Sequence, residues 1–372
     1  MCRFPSHRAL ATVSTAALQK NFTLLDSLVA RHGEGPRPPR TIAVVKANAY
    51  GHGAELVVPA LLASGCSFFA VATPDEAHTV RKLAPNADIL ILGYTPPSLA
   101  PDLINEGLIQ TVFSSDYAKE LEENTKATKN SLKIHLKIDG GMCRLGFLPE
   151  NIVELNEVSA HPHLRTVGIY THFPCADTDP DGTRHAFWRF LRCRQTLSDH
   201  GLSLFSHAAA SAALLTAPET ALNGARVGLA LYGISPVATS LPLSPALTLT
   251  APVVQIHEVE AGTPVGYGGQ FVSERPSKIG TLPIGYADGI PRHFKNTVGG
   301  VRILTEKGAF FAPIAGNICM DQMMIDLTST PTRLGDRAVF FDDIKKTAQA
   351  MNTIPYEILT GIGTRVLRMG SI

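Results

Sequence analysis

The sequence has 372 residues, more than one hydrophobic core usually serves, so we expect two domains. Hydrophobic residues make up 45% of the chain and charged residues 17%, a balance that excludes an intrinsically disordered protein. The 33 basic and 32 acidic residues leave a net charge of +1, which argues against a nucleic-acid partner and against a membrane-surface partner.

The cysteines and the N-terminal segment indicate the cellular compartment. Six dispersed cysteines without a C-x-x-C pair favour reduced thiols over a disulfide framework. The first residues lack the sustained apolar run of a signal peptide, and no apolar run is long enough to span a bilayer. We therefore expect a cytoplasmic protein without a membrane partner, and we expect no metal site.

In chain order, a first apolar strand at residues 9–13 leads into a helix that begins near Ser14 or Thr15. Short apolar runs then alternate with helical patterns as far as residue 235. Eight of these strand–helix units begin near Ile42, Phe68, Ile89, Ile109, Ile134, Val167, Leu204 and Ala225. Repeated β–α alternation predicts a parallel sheet, and eight units favour a closed (β/α)8 barrel of the TIM type over a doubly wound open sheet.

The pattern changes near residue 241. From there to about residue 341, short strands are broken by proline and glycine, and the next helical pattern is at residues 343–351. We therefore predict a (β/α)8 barrel at residues 1–240 and a mainly β domain at residues 241–372.

A lone lysine, Lys46, ends the apolar run at residues 42–45. Small and turn-forming residues follow it, and a helical pattern starts at Ala54. The carboxyl end of a buried parallel strand is where α/β folds place their chemistry. The alternative is a lysine that merely extends from a strand end into solvent.

Strand ends late in the predicted barrel suggest an anion site. Ser211 follows the seventh strand, and Gly228 follows the eighth. Hydroxyl groups and free backbone amides at such positions bind phosphate, and TIM barrels commonly place a phosphate there. Taken alone, Ser211 is equally compatible with a small buried residue in an alanine-rich stretch.

Several motifs extend this pattern over most of the chain. Residues 41–55, TIAVVKANAYGHGAE, closely resemble the alanine racemase motif whose lysine binds pyridoxal 5'-phosphate (PLP) covalently. Other stretches that resemble this family are LKIDGGMCRLG (136–146), THF (171–173), RVGLALYG (226–233), PVGYGG (264–269), GYADG (285–289), GNICMDQ (316–322) and PYE (355–357). The resemblance implies PLP as the cofactor and a homodimer whose active sites are shared between subunits.

The resemblance assigns cofactor roles to residues of the barrel. It makes Lys46 the covalent attachment point and a catalytic base. It also implies cofactor contacts from Tyr50, Arg144, His172, Ser211, Arg226, Gly228, Leu229 and Tyr356. His172 could instead be a hydrogen-bonded core histidine.

Arg226 is the candidate partner of the pyridine nitrogen. A guanidinium cannot accept a proton, so it would keep that nitrogen unprotonated and make the ring a weaker electron sink. Racemisation tolerates this better than decarboxylation or transamination does.

Arg144 and Lys137 belong to one motif. In the family, the arginine contacts the PLP phenolic oxygen and the substrate carboxylate, and the lysine is often carbamylated and orients it. A carbamate on Lys137 would be an anion able to pair with Arg144, which offsets the cost of burying either charge.

Racemisation requires a second base on the opposite face of the substrate, and the resemblance assigns it to Tyr267. In the family this tyrosine reaches the PLP of the other subunit. The resemblance also places Tyr286, Met320 and Asp321 at the substrate, although without it Met320 reads as a core residue.

Two departures from the family concern positions next to the site. Ala210 stands before Ser211 where an asparagine is usual, and Cys143 stands before Arg144 where a glycine is usual. These changes bear on cofactor affinity and leave the reaction type unaffected.

The leading hypothesis is an alanine racemase that interconverts L- and D-alanine and supplies D-alanine for peptidoglycan. A broad-specificity or serine racemase of the same fold is the nearest alternative. A PLP-dependent decarboxylase would carry a carboxylate motif where Arg226 stands. A non-catalytic PLP-binding barrel would lack the second domain.

Overall fold

The computed structural model describes residues 8–35 and 38–371. Within this part of the chain, two compact units are defined by their internal contacts. Residues 16–35, 38–49 and 54–245 form the first, which we call the barrel unit, and residues 8–15, 50–53 and 246–371 form the second, which we call the β unit.

The first strand, β1 (Leu10–Ser14), belongs to the β unit, and the next eight close into a parallel barrel. The barrel strands are β2 (Arg40–Val44), β3 (Phe68–Val71), β4 (Asp88–Ile91), β5 (Ile109–Val112), β6 (Leu132–Lys137), β7 (Leu164–Tyr170), β8 (Phe205–Ala210) and β9 (Gly224–Val227). The closing pair joins β2 to β9, with Ile42 opposite Arg226. The predicted closed barrel is confirmed, and the open sheet is excluded.

Helix α1 (Thr15–His32) precedes the barrel, and the segment α2 (Lys46–Tyr50) is a left-handed turn after β2. The barrel strands are further connected by α3 (Ala54–Ala63), α4 (Pro74–Leu83), α5 (Ala100–Asn105), α6 (Ser115–Thr125), α7 (Ile152–Ser159), α8 (Pro180–Asp199) and α9 (Ser211–Thr216), with 3-10 turns at Pro97–Leu99, Pro218–Ala221 and Leu229–Tyr232. The start of α4 is stabilised locally, because Pro74 occupies the first turn and the Thr73 hydroxyl accepts a hydrogen bond from Glu76 N (3.3 Å).

The β unit contains three sheets. Its strands are β1, β10 (Leu247–Pro252), β11 (Gln255–Val259), β12 (Pro264–Val265), β13 (Phe271–Val272), β14 (Ser277–Leu282), β15 (Gly300–Thr305), β16 (Gly308–Pro313), β17 (Met323–Asp326), β18 (Arg337–Phe340) and β19 (Leu367–Ser371). Its helices are α10 (Phe294–Thr297), α11 (Ile344–Ala350) and α12 (Pro355–Gly361), with 3-10 turns at Tyr267–Gly269 and Tyr286–Asp288. The prediction of a mainly β region is confirmed.

The largest sheet has the strand order β16-β15-β18-β10-β1-β19. β1 pairs antiparallel with β10 and parallel with β19, so that Leu10 lies opposite both Thr250 and Leu367. Alternate residues of β1 are buried, and Ala11 joins a hydrophobic core that includes Leu249 and Ile303. The N-terminal strand therefore groups with the C-terminal half of the chain, whereas the predicted division at residues 1–240 and 241–372 assigned it to the barrel.

Residues 50–53 also group with the β unit. Arg368 Nε donates to Gly51 O (3.0 Å), and the Tyr50 and Tyr356 rings lie 5.8 Å apart between centroids. A side chain at Gly51, which has a φ of 78°, would lie 2.1 Å from Leu359 O. A glycine is therefore required at this position.

Five cysteines have free thiols: Cys66, Cys143, Cys175, Cys193 and Cys319. Cys2 lies outside the described residues. None of the helices at residues 8–35 and 38–371 combines the length and apolar character needed to cross a membrane. The same residues contain no group of three or more His, Cys, Asp or Glu side chains arranged to hold a metal ion.

Candidate active site

The turn that carries Lys46 has a left-handed backbone. Four successive non-glycine residues have φ angles between 52° and 56°: Ala47, Asn48, Ala49 and Tyr50. This conformation costs a non-glycine residue about 1–2 kcal/mol, so it persists only where surrounding contacts fix it. Of the four, only Asn48 is a residue type that often adopts it.

Hydrogen bonds fix this turn within the barrel unit. Ala49 N donates to Val45 O (2.8 Å), and the Asn48 side-chain oxygen accepts from Ala54 N (2.8 Å). Glu76 supplies a third support from α4, because its Oε1 accepts from Ala47 N (2.6 Å). The Lys46 backbone is thus held at the carboxyl end of β2, as the sequence predicts.

Lys46 is half-buried among charged groups. Burial lowers the pKa of its amine, the Arg144 guanidinium lowers that pKa further, and the Glu76 carboxylate raises it. A lowered pKa increases the fraction of neutral amine near pH 7, which is the form that reacts with a carbonyl group and accepts a proton.

Lys137 ends β6 as a buried lysine. Burial lowers its pKa to about 8, and the Arg144 and Arg226 guanidinium groups contribute in the same direction. Its ammonium group lies 5.8 Å from the centroid of the Tyr170 ring. The structure therefore brings Lys46, Lys137, Arg144 and Arg226 into electrostatic contact at one end of the barrel.

The loop after β6 positions Arg144 through a buried aspartate. Asp139 Oδ1 accepts from Gly141 N (3.1 Å) and Met142 N (3.0 Å), and its Oδ2 accepts from Cys143 N (3.0 Å). Three amides on one carboxylate fix the backbone just before Arg144, whose side chain is exposed.

Cys143 has a φ of 51°, in the left-handed region that favours glycine. We expect Cys143→Gly to raise the free energy of unfolding by about 0.5–1 kcal/mol, because relief of backbone strain outweighs the added flexibility of the unfolded chain. Urea denaturation would measure this change. Cys175→Gly is the control: Cys175 is also an exposed free thiol, but it has no positive φ. The free energy of unfolding of the control should fall by about 0.5–1 kcal/mol. An equal fall in both variants would show that the backbone at Cys143 is not strained.

Arg226 lies on β9 with its guanidinium buried in hydrogen bonds. Nη2 donates to Thr171 O (2.7 Å), Ala208 O (3.0 Å) and His172 Nδ1 (3.3 Å). Nη1 donates to His207 Nδ1 (2.8 Å). Burial lowers the Arg226 pKa to about 10, which still leaves the group cationic at neutral pH.

Two histidines extend this network into the barrel, and the sequence analysis did not identify them. An arginine can only donate, so His207 Nδ1 must accept and its proton must lie on Nε2. That nitrogen lies 3.0 Å from His135 Nδ1, which therefore also accepts. Both rings are neutral, because burial lowers the His135 pKa to about 3 and the His207 pKa well below its ordinary value. The sequence signal that could have identified them is a histidine within each of two apolar runs that form the buried strands β6 and β8.

Ser211 and the segment after β9 form a polar cradle. The Ser211 hydroxyl accepts from Gly228 N (3.0 Å) and Ala230 N (3.4 Å), with Leu229 between them in the chain. Ala210 precedes α9 without a side-chain cap, where an asparagine would supply one.

The remaining predicted residues belong to the β unit. Tyr267 lies in a 3-10 turn with its side chain 76% exposed, and the Asn317 amide fixes the turn by donating to Tyr267 O (3.1 Å). Gly266 has a φ of 76°, and a side chain there would lie 2.8 Å from Met324 Cε. This exposed phenol is therefore held on a rigid backbone.

Two hydrogen-bonded loops of the β unit contain the predicted residues Tyr286, Met320 and Asp321. Tyr286 N donates to Cys319 O (3.0 Å), so the two loops pack backbone to backbone. Arg365 links the two loops, because it donates to Asp321 Oδ1 (2.8 Å) and forms an ion pair with the buried Asp288 carboxylate (2.9 Å). The sequence analysis missed this ion-pair network, which no local pattern marks.

The barrel residues fit the chemistry of PLP. The cradle offers the Ser211 hydroxyl, whose oxygen accepts from the Gly228 amide and whose proton can be donated to a phosphate, and Lys46 offers an amine with a lowered pKa, which suits a carbonyl group. Arg226 offers a donor that stays protonated. Together these groups can hold an anionic aldehyde and move a proton at an adjacent carbon.

Comparison with known proteins agrees with this chemistry. Sequence profiles of the "Alanine racemase, N-terminal domain" and "Alanine racemase, C-terminal domain" families match residues 13–236 and 246–370. Alanine racemase of Clostridium perfringens is 40% identical over 344 residues, 88% of either chain. The Bacillus anthracis enzyme structure with bound L-Ala-P has a TM-score of 0.89 at 30% identity, covering 99% of this chain and 96% of that one. Alanine racemase of Clostridium difficile 630 also scores 0.89 at 30% identity, covering 98% and 95%. The chain therefore belongs to the alanine racemase family.

Proposed function

We propose that this protein is a PLP-dependent alanine racemase that interconverts L- and D-alanine. The observation that carries the proposal is the position of Lys46, a half-buried amine with a lowered pKa beside Arg144 and Lys137. Bound PLP would supply an aldehyde for the amino group of the substrate and a ring that can delocalise an electron pair on Cα.

The barrel residues hold the reactants. Ser211, Gly228 and Leu229 would bind the phosphate of PLP, and Arg226 would donate to the pyridine nitrogen. Arg144 would bind the PLP phenolic oxygen and the substrate carboxylate. The family motifs also assign cofactor contacts to Tyr50 and Tyr356. His172 Nδ1 accepts a hydrogen bond from Arg226, and so helps to fix the orientation of the guanidinium.

Two bases move the Cα proton on opposite faces. Lys46 removes or returns it on the face of the D enantiomer. Tyr267 of the partner subunit does so on the face of the L enantiomer. Its own exposure and rigid backbone support a role toward a second copy of the chain. We therefore propose a homodimer in which Tyr286, Met320 and Asp321 also complete the partner's substrate site.

We also propose that Lys137 is carbamylated. Its lowered pKa of about 8 leaves about a tenth of the amine neutral at pH 7. The neutral nitrogen bonds to the carbon of CO2 and releases a proton to water, which leaves a carboxylate facing Arg144. Intact-protein mass spectrometry in bicarbonate buffer should show one added CO2, and its absence in Lys137→Ala would locate it.

The reaction is tested by incubating the protein and PLP with L-alanine, L-serine and L-lysine in D2O. Rapid formation of Cα-deuterated D-alanine, with little product from the others, is the expected result. Comparable racemisation of serine or lysine would indicate the broad-specificity alternative, and loss of the carboxylate would indicate a decarboxylase. We further propose that the enzyme is cytoplasmic and supplies D-alanine for peptidoglycan, so that its deletion should create a D-alanine requirement.

A further inference from the structure

We propose that Glu76 is a positioning residue that clamps the left-handed turn after Lys46 to the end of strand β3. The inference rests on the proposed role of Lys46 and adds a residue outside the motifs described above. One carboxylate oxygen accepts from Ala47 N (2.6 Å), and the other accepts from Ala72 N (2.8 Å). The carboxylate thereby bridges the residues that follow two neighbouring barrel strands.

The orientation of Glu76 differs from that of an ordinary helix cap. Thr73 and Glu76 stand at the N-cap and third position of α4, the spacing of a capping box. In that motif the glutamate accepts from the amide of the capping residue. Here both of its oxygens accept from amides outside α4, at Ala47 and Ala72, while the Thr73 hydroxyl caps the helix.

The turn requires such a clamp because of its backbone. Ala47 is the first of four left-handed residues, and an alanine has no side-chain hydrogen bond with which to support that conformation. Release of Ala47 N would let the turn relax toward a less strained conformation and carry the Lys46 Cα with it. Small displacements of a catalytic group reduce rates strongly, so the clamp bears directly on the chemistry.

The same carboxylate also adjusts the charge around the lysine. Arg144, Lys137 and His172 interact electrostatically with Lys46, and Glu76 is the acidic side chain that raises its pKa. Removal of this negative charge should lower the Lys46 pKa. The pH midpoint for reaction of the neutral amine should then move downward.

The test follows covalent attachment of PLP to the cofactor-free full-length protein, recorded by absorbance and mapped to Lys46 by borohydride trapping and mass spectrometry. Glu76→Gln keeps one acceptor but places an NH2 group against the other amide. We expect attachment to slow on the order of 10-fold or more and its pH midpoint to fall. Amide exchange at residues 47–49 should accelerate by a similar factor.

Matched variants separate geometry from charge. Asp75→Asn removes a carboxylate from the same helical turn and should match the wild type in all three measurements. Glu76→Asp keeps the charge but is too short to bridge both amides, so attachment should slow without a change in the pH midpoint. Adding Ala47→Gly to Glu76→Gln should restore part of the rate, because glycine adopts the left-handed conformation without strain.

The outcomes are distinguishable. If the wild type forms no adduct at Lys46, the proposed role of that lysine fails. If it does, and Glu76→Gln equals the wild type in attachment and exchange, the clamp is refuted. A lower melting temperature with unchanged attachment would also refute it, since that pattern indicates a helix cap alone. If Glu76→Gln does not fold, Glu76→Asp decides by the same measurements.

Discussion

Lys46→Ala is expected to abolish covalent binding of PLP and to reduce racemisation of alanine by at least about 1,000-fold. The variant would remove the proposed attachment point and the proposed base on the D face, while the polar cradle at Ser211 would remain. Cofactor absorbance after gel filtration and chiral analysis of alanine would measure the two effects. An undiminished covalent adduct would show that another lysine carries the cofactor.

Lys133→Ala serves as the matched control for this variant. Lys133 lies near the amino end of strand β6, at the opposite end from Lys137 in the same strand. Active sites of such barrels lie at the carboxyl ends of the strands. Loss of Lys133 should therefore leave both PLP attachment and racemisation close to those of the wild type.

Tyr267→Phe is expected to suppress Cα proton exchange of L-alanine by about 100-fold or more, while exchange of D-alanine through Lys46 largely persists. The two enantiomers have equal free energy in water, so racemisation falls equally in both directions and cannot reveal the asymmetry. Initial deuterium incorporation into each enantiomer, measured separately in D2O, reveals it. Equal losses for both enantiomers would refute this division of labour. Tyr94→Phe removes another exposed phenol hydroxyl and should change neither rate.

Mixed dimers test which subunit supplies Tyr267. A dimer of one Lys46→Ala subunit and one Tyr267→Phe subunit regains one intact site if the tyrosine acts across the interface. Random reassociation of the two inactive variants should then recover about a quarter of the wild-type activity. No recovery would mean that each site is built within one chain.

Much of the barrel could be predicted from sequence because its signals are local. Each strand is a short apolar run, and β3, β5 and β9 are buried at every residue, as expected for strands covered on both faces. Lys46 interrupts that pattern where β2 ends. Its position therefore followed from the chain itself, and the family motif supplied its proposed role.

The supports of the site could not be predicted in the same way. The left-handed turn contains two alanines, which carry no local preference for positive φ. The spacing of Thr73 and Glu76 predicts a self-contained helix cap, whereas tertiary contacts redirect the glutamate to Ala47. The buried pair His135–His207 and the ion pair between buried Asp288 and exposed Arg365 depend on strands and loops distant in sequence, so no window of residues reveals them.

The grouping of β1 and residues 50–53 with the C-terminal part of the chain has a consequence for synthesis on the ribosome. Gly51 has its hydrogen-bond partner in Arg368, and β1 has its parallel neighbour in β19. At typical elongation rates these partners emerge about 15–60 s after residues 50–53. The barrel strands and the turn at residues 47–49 can form while translation continues, because their hydrogen-bond partners lie within the barrel unit. Residues 50–53 must wait for the end of the chain, so we expect their native conformation to form only when the last strand has been synthesised.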